Sequence, residues 1–72
     1  MKMSYYPETD SLYIDLSARP SADSREVSPG VVLDYDEDGH LTGIDIDHAS
    51  SLLDLQELTL DRIPAQVHRL SA

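Results

Sequence analysis

Apolar and polar residues alternate along the first part of the chain with the period of two that is typical of β-strands. The pattern predicts a first strand over residues 1–6 and a second over residues 11–16. The turn-forming residues Pro7 to Asp10 join them into a hairpin. Residues 23–28 are predicted as a third strand. This strand is mostly polar, because Val27 is its only large apolar residue. A charged strand of this kind is expected at the edge of a sheet.

A second hairpin is predicted in the middle of the chain, where two runs rich in β-branched residues flank the acidic turn Asp36-Glu37-Asp38-Gly39. We expect a type I turn in which Gly39 adopts the positive φ of a bulge. The register expected from this turn consists of three pairs: Asp36 with His40, Asp34 with Thr42, and Val32 with Ile44.

This register would give the sheet two apolar faces. One face would carry Val32, Ile44 and Ile46. The other would carry the candidate interface residues Val31, Leu33, Tyr35 and Leu41. Because an antiparallel sheet usually leaves one polar face to water, two apolar faces both need a cover. We expect the C-terminal segment on one face and a second copy of the chain on the other, which makes the protein a homodimer.

The period of the pattern lengthens from residue 48. A short helix is predicted over residues 48–54, begun either by Asp47 as N-cap or by a capping box of Ser51 and Asp54. In the variable C-terminal segment, residues 55–72, Leu58 and Leu60 alternate as in a strand. Alternatively, Leu60 and Ile63 of this segment could share a helical face with Leu52 and Leu53.

Pro64 ends either structure, and we favour an extra strand over residues 57–62. The prediction as a whole is a single α+β domain over residues 1–72. Residues 1–47 form a small antiparallel sheet of about five strands, made of two hairpins and the polar edge strand. The short helix follows this sheet.

The charge of the chain is strongly negative: fourteen acidic residues against five basic ones give a formal net charge of −9. Such a surface repels phosphate backbones and anionic lipid, so we expect a basic protein as partner rather than nucleic acid or a membrane. A core of 72 residues is marginal, and without Cys only a metal or self-association can reinforce it. The chain shows neither a membrane span nor a signal peptide, so a cytoplasmic location is expected.

Several motifs occur together in one known order and spacing. They are Tyr6-Pro7-Glu8-Thr9-Asp10-Ser11-Leu12-Tyr13-Ile14, Val31-Val32-Leu33-Asp34-Tyr35-Asp36-Glu37-Asp38-Gly39, Gly43-Ile44-Asp45-Ile46 and Asp47-His48-Ala49-Ser50. In these the chain resembles the domain-of-unknown-function 2283 family of small bacterial proteins. The resemblance implies a small antiparallel sheet followed by a short helix. It also implies an accessory protein, because some members lie beside small toxin-like proteins as the candidate antitoxin.

The acidic turn is the sharpest candidate for chemistry. Asp34, Asp36 and Asp38, with Asp45 at the twelfth position, follow the spacing of a calcium loop. An EF-hand needs a helix on each side, and Pro29-Gly30 with the β-branched residues favours strands instead. We therefore expect no metal site, with Asp34, Asp36 and Asp38 as weak candidates only. A cation- or small-ligand-binding protein that uses the turn Asp34-Gly39 is the alternative function.

Catalysis is not expected. The spacings of His40, His48 and His68 match no zinc motif, and the sequence contains neither a nucleophile elbow nor a Gly-rich phosphate loop. The tyrosines lack the basic surroundings of a base-stacking platform. We predict no cofactor and no catalytic residue. The leading hypothesis is a small protein-interaction module, an antitoxin-like accessory protein that binds a basic protein partner.

Overall fold

The computed structural model describes residues 1–64, which form one antiparallel sheet followed by a short helix. The strands are β1 (Lys2–Tyr6), β2 (Ser11–Asp15), β3 (Asp23–Ser28), β4 (Val31–Tyr35) and β5 (Leu41–Ile46), and the helix α1 is Ala49–Leu52. The order across the sheet is β1-β2-β5-β4-β3, so β5 is the central strand. This architecture confirms the predicted α+β fold class.

Both predicted hairpins are present: β1 pairs with β2 and β4 with β5. Pro7 to Asp10 is a turn between β1 and β2, and Asp10 adopts a left-handed φ of 52°. In the second hairpin the Gly39 N–H donates to the Asp36 carbonyl at 3.1 Å, and Gly39 has a φ of +83°. Strand β3 lies at the edge, with all six of its residues exposed and a bulge at Val27. It is the polar edge strand that the sequence predicted.

The register of the second hairpin differs from the prediction by one residue. The Asp36 N–H donates to the His40 carbonyl as expected, but Asp34 lies opposite Gly43. Tyr35 lies opposite Leu41, so Thr42 is the extra residue of a bulge in β5. The predicted pairs of Asp34 with Thr42 and of Val32 with Ile44 are therefore wrong, because a count outward from the turn does not include the bulged residue.

This shift gives the sheet one apolar face and one acidic face. Directly opposite residues of an antiparallel pair point to the same side, and the central strand pairs Ile44 with Leu33 and Ile14. The apolar face carries Met3, Tyr5, Leu12, Ile14, Val31, Leu33, Tyr35, Ile44 and Ile46. The acidic face carries Asp15, Glu26, Asp34 and Asp45, with Tyr13 and Val32 between them. The prediction of two apolar faces is wrong.

The hydrophobic core of the described residues is small. Leu12 and Ala49 are their only buried apolar residues, at 6% and 0% exposure. All five residues of β4, although inside the sheet, remain half-buried. The apolar face is thus not buried to the degree of a protein interior by the chain from residue 1 to 64.

The segment after α1 forms neither helix nor strand as far as Pro64. The extra strand predicted over residues 57–62 is absent from it, because alternation alone does not make a strand and these residues pair with neither edge of the sheet. Residues 65–72 lie outside the described part of the chain. Within the described part, none of the helical structure has the length and apolarity needed to cross a membrane.

The central strand provides a test of the packing on the acidic face. A methyl group added at Gly43 would lie 2.7 Å from Tyr13 Cζ and nearer still to the hydroxyl oxygen. We predict that Gly43→Ala lowers the free energy of unfolding by about 1–3 kcal/mol, because the ring must leave its position. Chemical denaturation would measure the change. The penalty should vanish in a Tyr13→Ala background, and an equal loss in both backgrounds would contradict the assigned cause.

Candidate functional site

Asp34 lies at the centre of the acidic face, where side chains of three strands meet. Its Oδ2 accepts a hydrogen bond from Tyr13 Oη at 3.0 Å, and its Oδ1 accepts one from Ser24 Oγ at 2.6 Å. Tyr13 reaches Asp34 by passing over Gly43, where the absence of a side chain leaves room for the ring. Both oxygens of Asp34 are therefore held by hydroxyl groups, one from the adjacent strand β3 and one from β2 on the far side of β5.

Asp45 is the carboxylate that the central strand places on this face. It lies directly opposite both Tyr13 and Val32, is half-buried, and accepts no hydrogen bond from any residue between 1 and 64. Burial raises the pKa of Asp45, and the carboxylates of Asp47 and Asp34 raise it further. The ionised form is thus disfavoured by its surroundings, and a cation would relieve it.

The phenol of Tyr13 responds to the same field. Burial raises its pKa, as do its hydrogen bond to Asp34 and the nearby charges of that residue, Asp15 and Asp45. Lys2, opposite Asp15, is the basic residue that the described strands place on this face. The face is electronegative over most of its width.

Asp36 holds the acidic turn together. The residue is buried, and its Oδ1 accepts the N–H groups of Asp38 and His40, both at 2.9 Å. Its Oδ2 accepts a hydrogen bond from Arg19 Nη1 at 3.0 Å. The backbone N–H of His40 is the largest of the causes that lower the pKa of Asp36 to about 2, and Arg19 and the Asp38 N–H add to it. Asp36 is a turn lock in the form of an Asx-turn.

The structure brings together a different set of candidate metal ligands from the one in the sequence prediction. Ligand atoms of Asp36, Asp38 and His40 lie within 4.8 Å of one another, whereas Asp34 belongs to the acidic face. Arg19 Nη1 also lies 3.1 Å from His40 Nδ1, so a guanidinium already supplies positive charge at this turn. The spacing of Asp36 and His40 around Gly39 could have indicated their contact. Nothing local indicates Arg19, seventeen residues before Asp36.

Asp10 caps the helix, a role that was predicted for Asp47. The N-cap residue is His48, which has a left-handed φ of 53° and makes no side-chain cap. The Asp10 carbonyl accepts the Ala49 N–H at 2.9 Å, and Asp10 Oδ1 accepts the Ser50 N–H at 3.1 Å. Asp47 instead accepts a hydrogen bond from Ser11 Oγ at 3.1 Å. The prediction of Asp47 as the cap is wrong, because the cap comes from a turn forty residues earlier in the chain.

The side-chain bonds of Asp10 complete this junction. Ser50 Oγ and Tyr5 Oη both donate to its carboxylate at 2.7 Å, Ser50 to Oδ2 and Tyr5 to Oδ1. These bonds, that of Ser50 first, lower the pKa of Asp10. The first hairpin and the helix are thereby joined through one carboxylate.

The candidate interface residues all lie on the apolar side of the sheet. Val31, Leu33 and Tyr35 are half-buried, and Leu41 is 38% exposed. At one end of this side the Arg25 guanidinium lies 5.8 Å from the centre of the Tyr35 ring. A shallow open cavity of about 370 Å³ adjoins them, lined by Ala22, Asp23, Arg25, Tyr35, Asp36, Glu37 and Gly39. Of the three histidines whose spacing was compared with zinc motifs, His68 lies outside the described residues.

The low pKa of Asp36 predicts a pH dependence of stability. Because its pKa falls from the ordinary 3.8 to about 2 in the folded chain, its contribution is present above about pH 4 and is lost as the pH falls toward 2. We expect Asp36→Asn to lower the melting temperature at pH 5 by roughly 4–8 °C, and the gap to the wild type to narrow between pH 4 and pH 2. Thermal denaturation followed by circular dichroism measures both.

The control for this experiment is Asp38→Asn, which removes the same charge from an exposed residue of the same turn. It should leave the melting temperature nearly unchanged across this pH range. Equal shifts for the two variants would show that net charge, rather than the turn lock, is responsible.

The acidic turn is also predicted to bind calcium no more tightly than millimolar. Asp36 is already bonded by Arg19 and two backbone N–H groups, and Asp34 by Tyr13 and Ser24. A full calcium shell needs six to eight oxygen ligands. Calorimetric titration should give no heat of binding in the micromolar range. Micromolar binding that Asp38→Asn abolishes would contradict the prediction.

Comparison with known proteins gives one finding. Residues 2–50 match the model of the family described as protein of unknown function (DUF2283). Searches of curated proteins and of solved structures found no match. The matched span is more than half of the chain and contains all five strands, the Asp10 junction and the acidic turn. The chain therefore belongs to the DUF2283 family.

Proposed function

We propose that this protein is an interaction module whose acidic face binds a basic protein partner. One observation carries the proposal: four carboxylates from four strands share a face, and no residue between 1 and 64 donates to Asp45 on its central strand. The burial and the neighbouring carboxylates that raise the pKa of Asp45 also favour a cation placed beside it. A partner that places a cation beside Asp45 would therefore form a more stable complex with this chain.

Arginine is the cation that fits the acidic face best. Its planar guanidinium can bond a carboxylate through two parallel N–H groups and can also stack on an aromatic ring. Tyr13 lies beside Asp45, and Val32 on the other side of Asp45 adds apolar contact area. The net charge of −9 would also speed the encounter with a basic protein.

A binding role also agrees with how the serine hydroxyls are used. Ser24 donates to Asp34, which Tyr13 also bonds, and Ser50 donates to Asp10, which Tyr5 also bonds. Each carboxylate is thereby fixed by two hydroxyls, an arrangement that orients charge rather than activates a nucleophile. We assign the protein no catalytic role and no cofactor.

The resemblance to family members that lie beside toxin-like proteins supports a more specific form of the proposal. The partner would be a small basic toxin-like protein in the cytoplasm, and this chain would act as its antitoxin-like accessory protein. Binding would then neutralise the partner by covering its basic surface. Self-association belongs to the same proposal.

Co-expression with the product of the neighbouring gene tests the proposal directly. We expect the two proteins to co-purify, with an affinity that falls as salt is raised because the interface is electrostatic. The double variant Glu26→Gln/Asp45→Asn should weaken binding by at least about tenfold in calorimetry. Its matched control is Glu37→Gln/Asp38→Asn, which removes the same number of charges from exposed residues of the acidic turn and should bind nearly as the wild type does.

Two outcomes would count against this proposal. If both double variants lost affinity equally, overall charge rather than the acidic face would govern binding. If no basic partner co-purified with the full chain, the interaction itself would be refuted.

A further inference from the structure

We infer that the apolar face of the sheet is covered by the same face of a second copy of this chain, so that two sheets stack into a sandwich. The inference rests on the proposed function and deepens it. It assigns one face of the sheet to self-association and leaves the opposite face to the basic partner.

The side chains of the apolar face are incompletely buried by the described residues. Ile14, Val31, Leu33, Ile44 and Ile46 lie in inner strands of the sheet, yet all are only half-buried. On the edge strand β1, Met3 is 44% and Tyr5 43% exposed. A chain of this length is poorly able to build a core of its own, so a second sheet is the physical means of burying these side chains.

The area of the apolar face also favours a second copy of the chain. Five strands spaced about 4.8 Å apart, each about 17 Å long, present roughly 400 Å² of flat surface. Exposed apolar patches of about 300–600 Å² are the largest that monomers usually carry, and these are often functional. Two such faces give about 800 Å² before the relief of the side chains is counted, close to the roughly 1,000 Å² that a specific interface needs.

The distribution of charge between the two faces of the sheet favours a second copy as well. The carboxylates Asp15, Glu26, Asp34 and Asp45 all point away from the apolar face, where the edge strand β3 places one opposite pair of charges, Asp23 and Arg25, near one end. Stacking through the apolar faces therefore keeps the two sets of carboxylates on opposite outer surfaces, about one sheet-to-sheet distance further apart. Stacking through the acidic faces would bring them together. A second copy thus fits the apolar face, and a strongly basic partner gains little from it.

Adjacent residues of β4 provide a matched pair of variants. Leu33 and Val32 are both half-buried but point to opposite faces, so Leu33→Lys places a charge in the interface and Val32→Lys places one among the carboxylates. Sedimentation velocity of the full chain at micromolar concentration should show a dimer. Leu33→Lys should raise its dissociation constant by at least about 30-fold, and Val32→Lys should leave it nearly unchanged.

Salt separates self-association from partner binding. Two chains of net charge −9 repel each other, so screening should strengthen the dimer as salt is raised. Binding of the basic partner should weaken over the same range. If Leu33→Lys does not fold, the melting temperature of the wild type decides, because that of a dimer rises with protein concentration.

Each remaining outcome has one meaning. A wild-type chain that is monomeric with a concentration-independent melting temperature overturns the inference. If Leu33→Lys then abolishes partner binding, the partner covers the face; if partner binding is unchanged but the melting temperature falls, the chain covers it.

Dissociation by Val32→Lys alone overturns the inference by moving the interface to the acidic face. A dimer without any basic partner supports the inference and refutes the proposed function; a monomer whose partner binding depends on Glu26 and Asp45 does the reverse.

Discussion

The register of the β4–β5 hairpin is held from both ends, and the chemistry of the whole sheet depends on it. At the turn, Asp36 fixes the chain through the N–H groups of Asp38 and His40. Further along β5, the Tyr13 ring packs on Gly43 and bonds Asp34 on the next strand. One more residue lies on β5 than on β4 between these two fixed points, and the bulge at Thr42 absorbs it. Because side chains alternate with a period of two, that residue places Ile44 and Ile46 with Leu33 and Val31.

The chain also solves the problem of excess carboxylates in a consistent way. With five basic residues for fourteen acidic ones, few carboxylates can form ion pairs. Asp10 and Asp34 are each held by one tyrosine and one serine hydroxyl, and Asp36 by backbone N–H groups and Arg19. Asp45, on the central strand, receives no such donor within residues 1–64, and burial and neighbouring carboxylates raise its pKa. It is therefore a point at which the structure favours a positive charge from outside.

Local chemistry was predictable from the sequence, and long-range pairing was not. The turn at Pro7 to Asp10 and the positive φ of Gly39 follow from the conformational preferences of a few adjacent residues. The bulge at Thr42 has no such signature, so the register of the hairpin and the face that carries Ile44 and Ile46 were predicted wrongly. The cap of the helix comes from Asp10, and Arg19 reaches Asp36 from another loop. Both contacts exist only after the sheet has formed, and residues 57–62 show the converse, an alternating pattern without a partner strand.

The bulge has a consequence for how this protein can change over time. Between Asp36 and Gly43, insertion or deletion of one residue would turn Ile44 and Ile46 to the outer side of the sheet and Asp45 to the inner one. Substitutions at the exposed positions of this stretch, Glu37, Asp38 and His40, alter only the side chain concerned. Variation in this loop should therefore be free at these positions but fixed in length. A difference of one residue there would mark a relative with a rebuilt sheet, not a drifted turn.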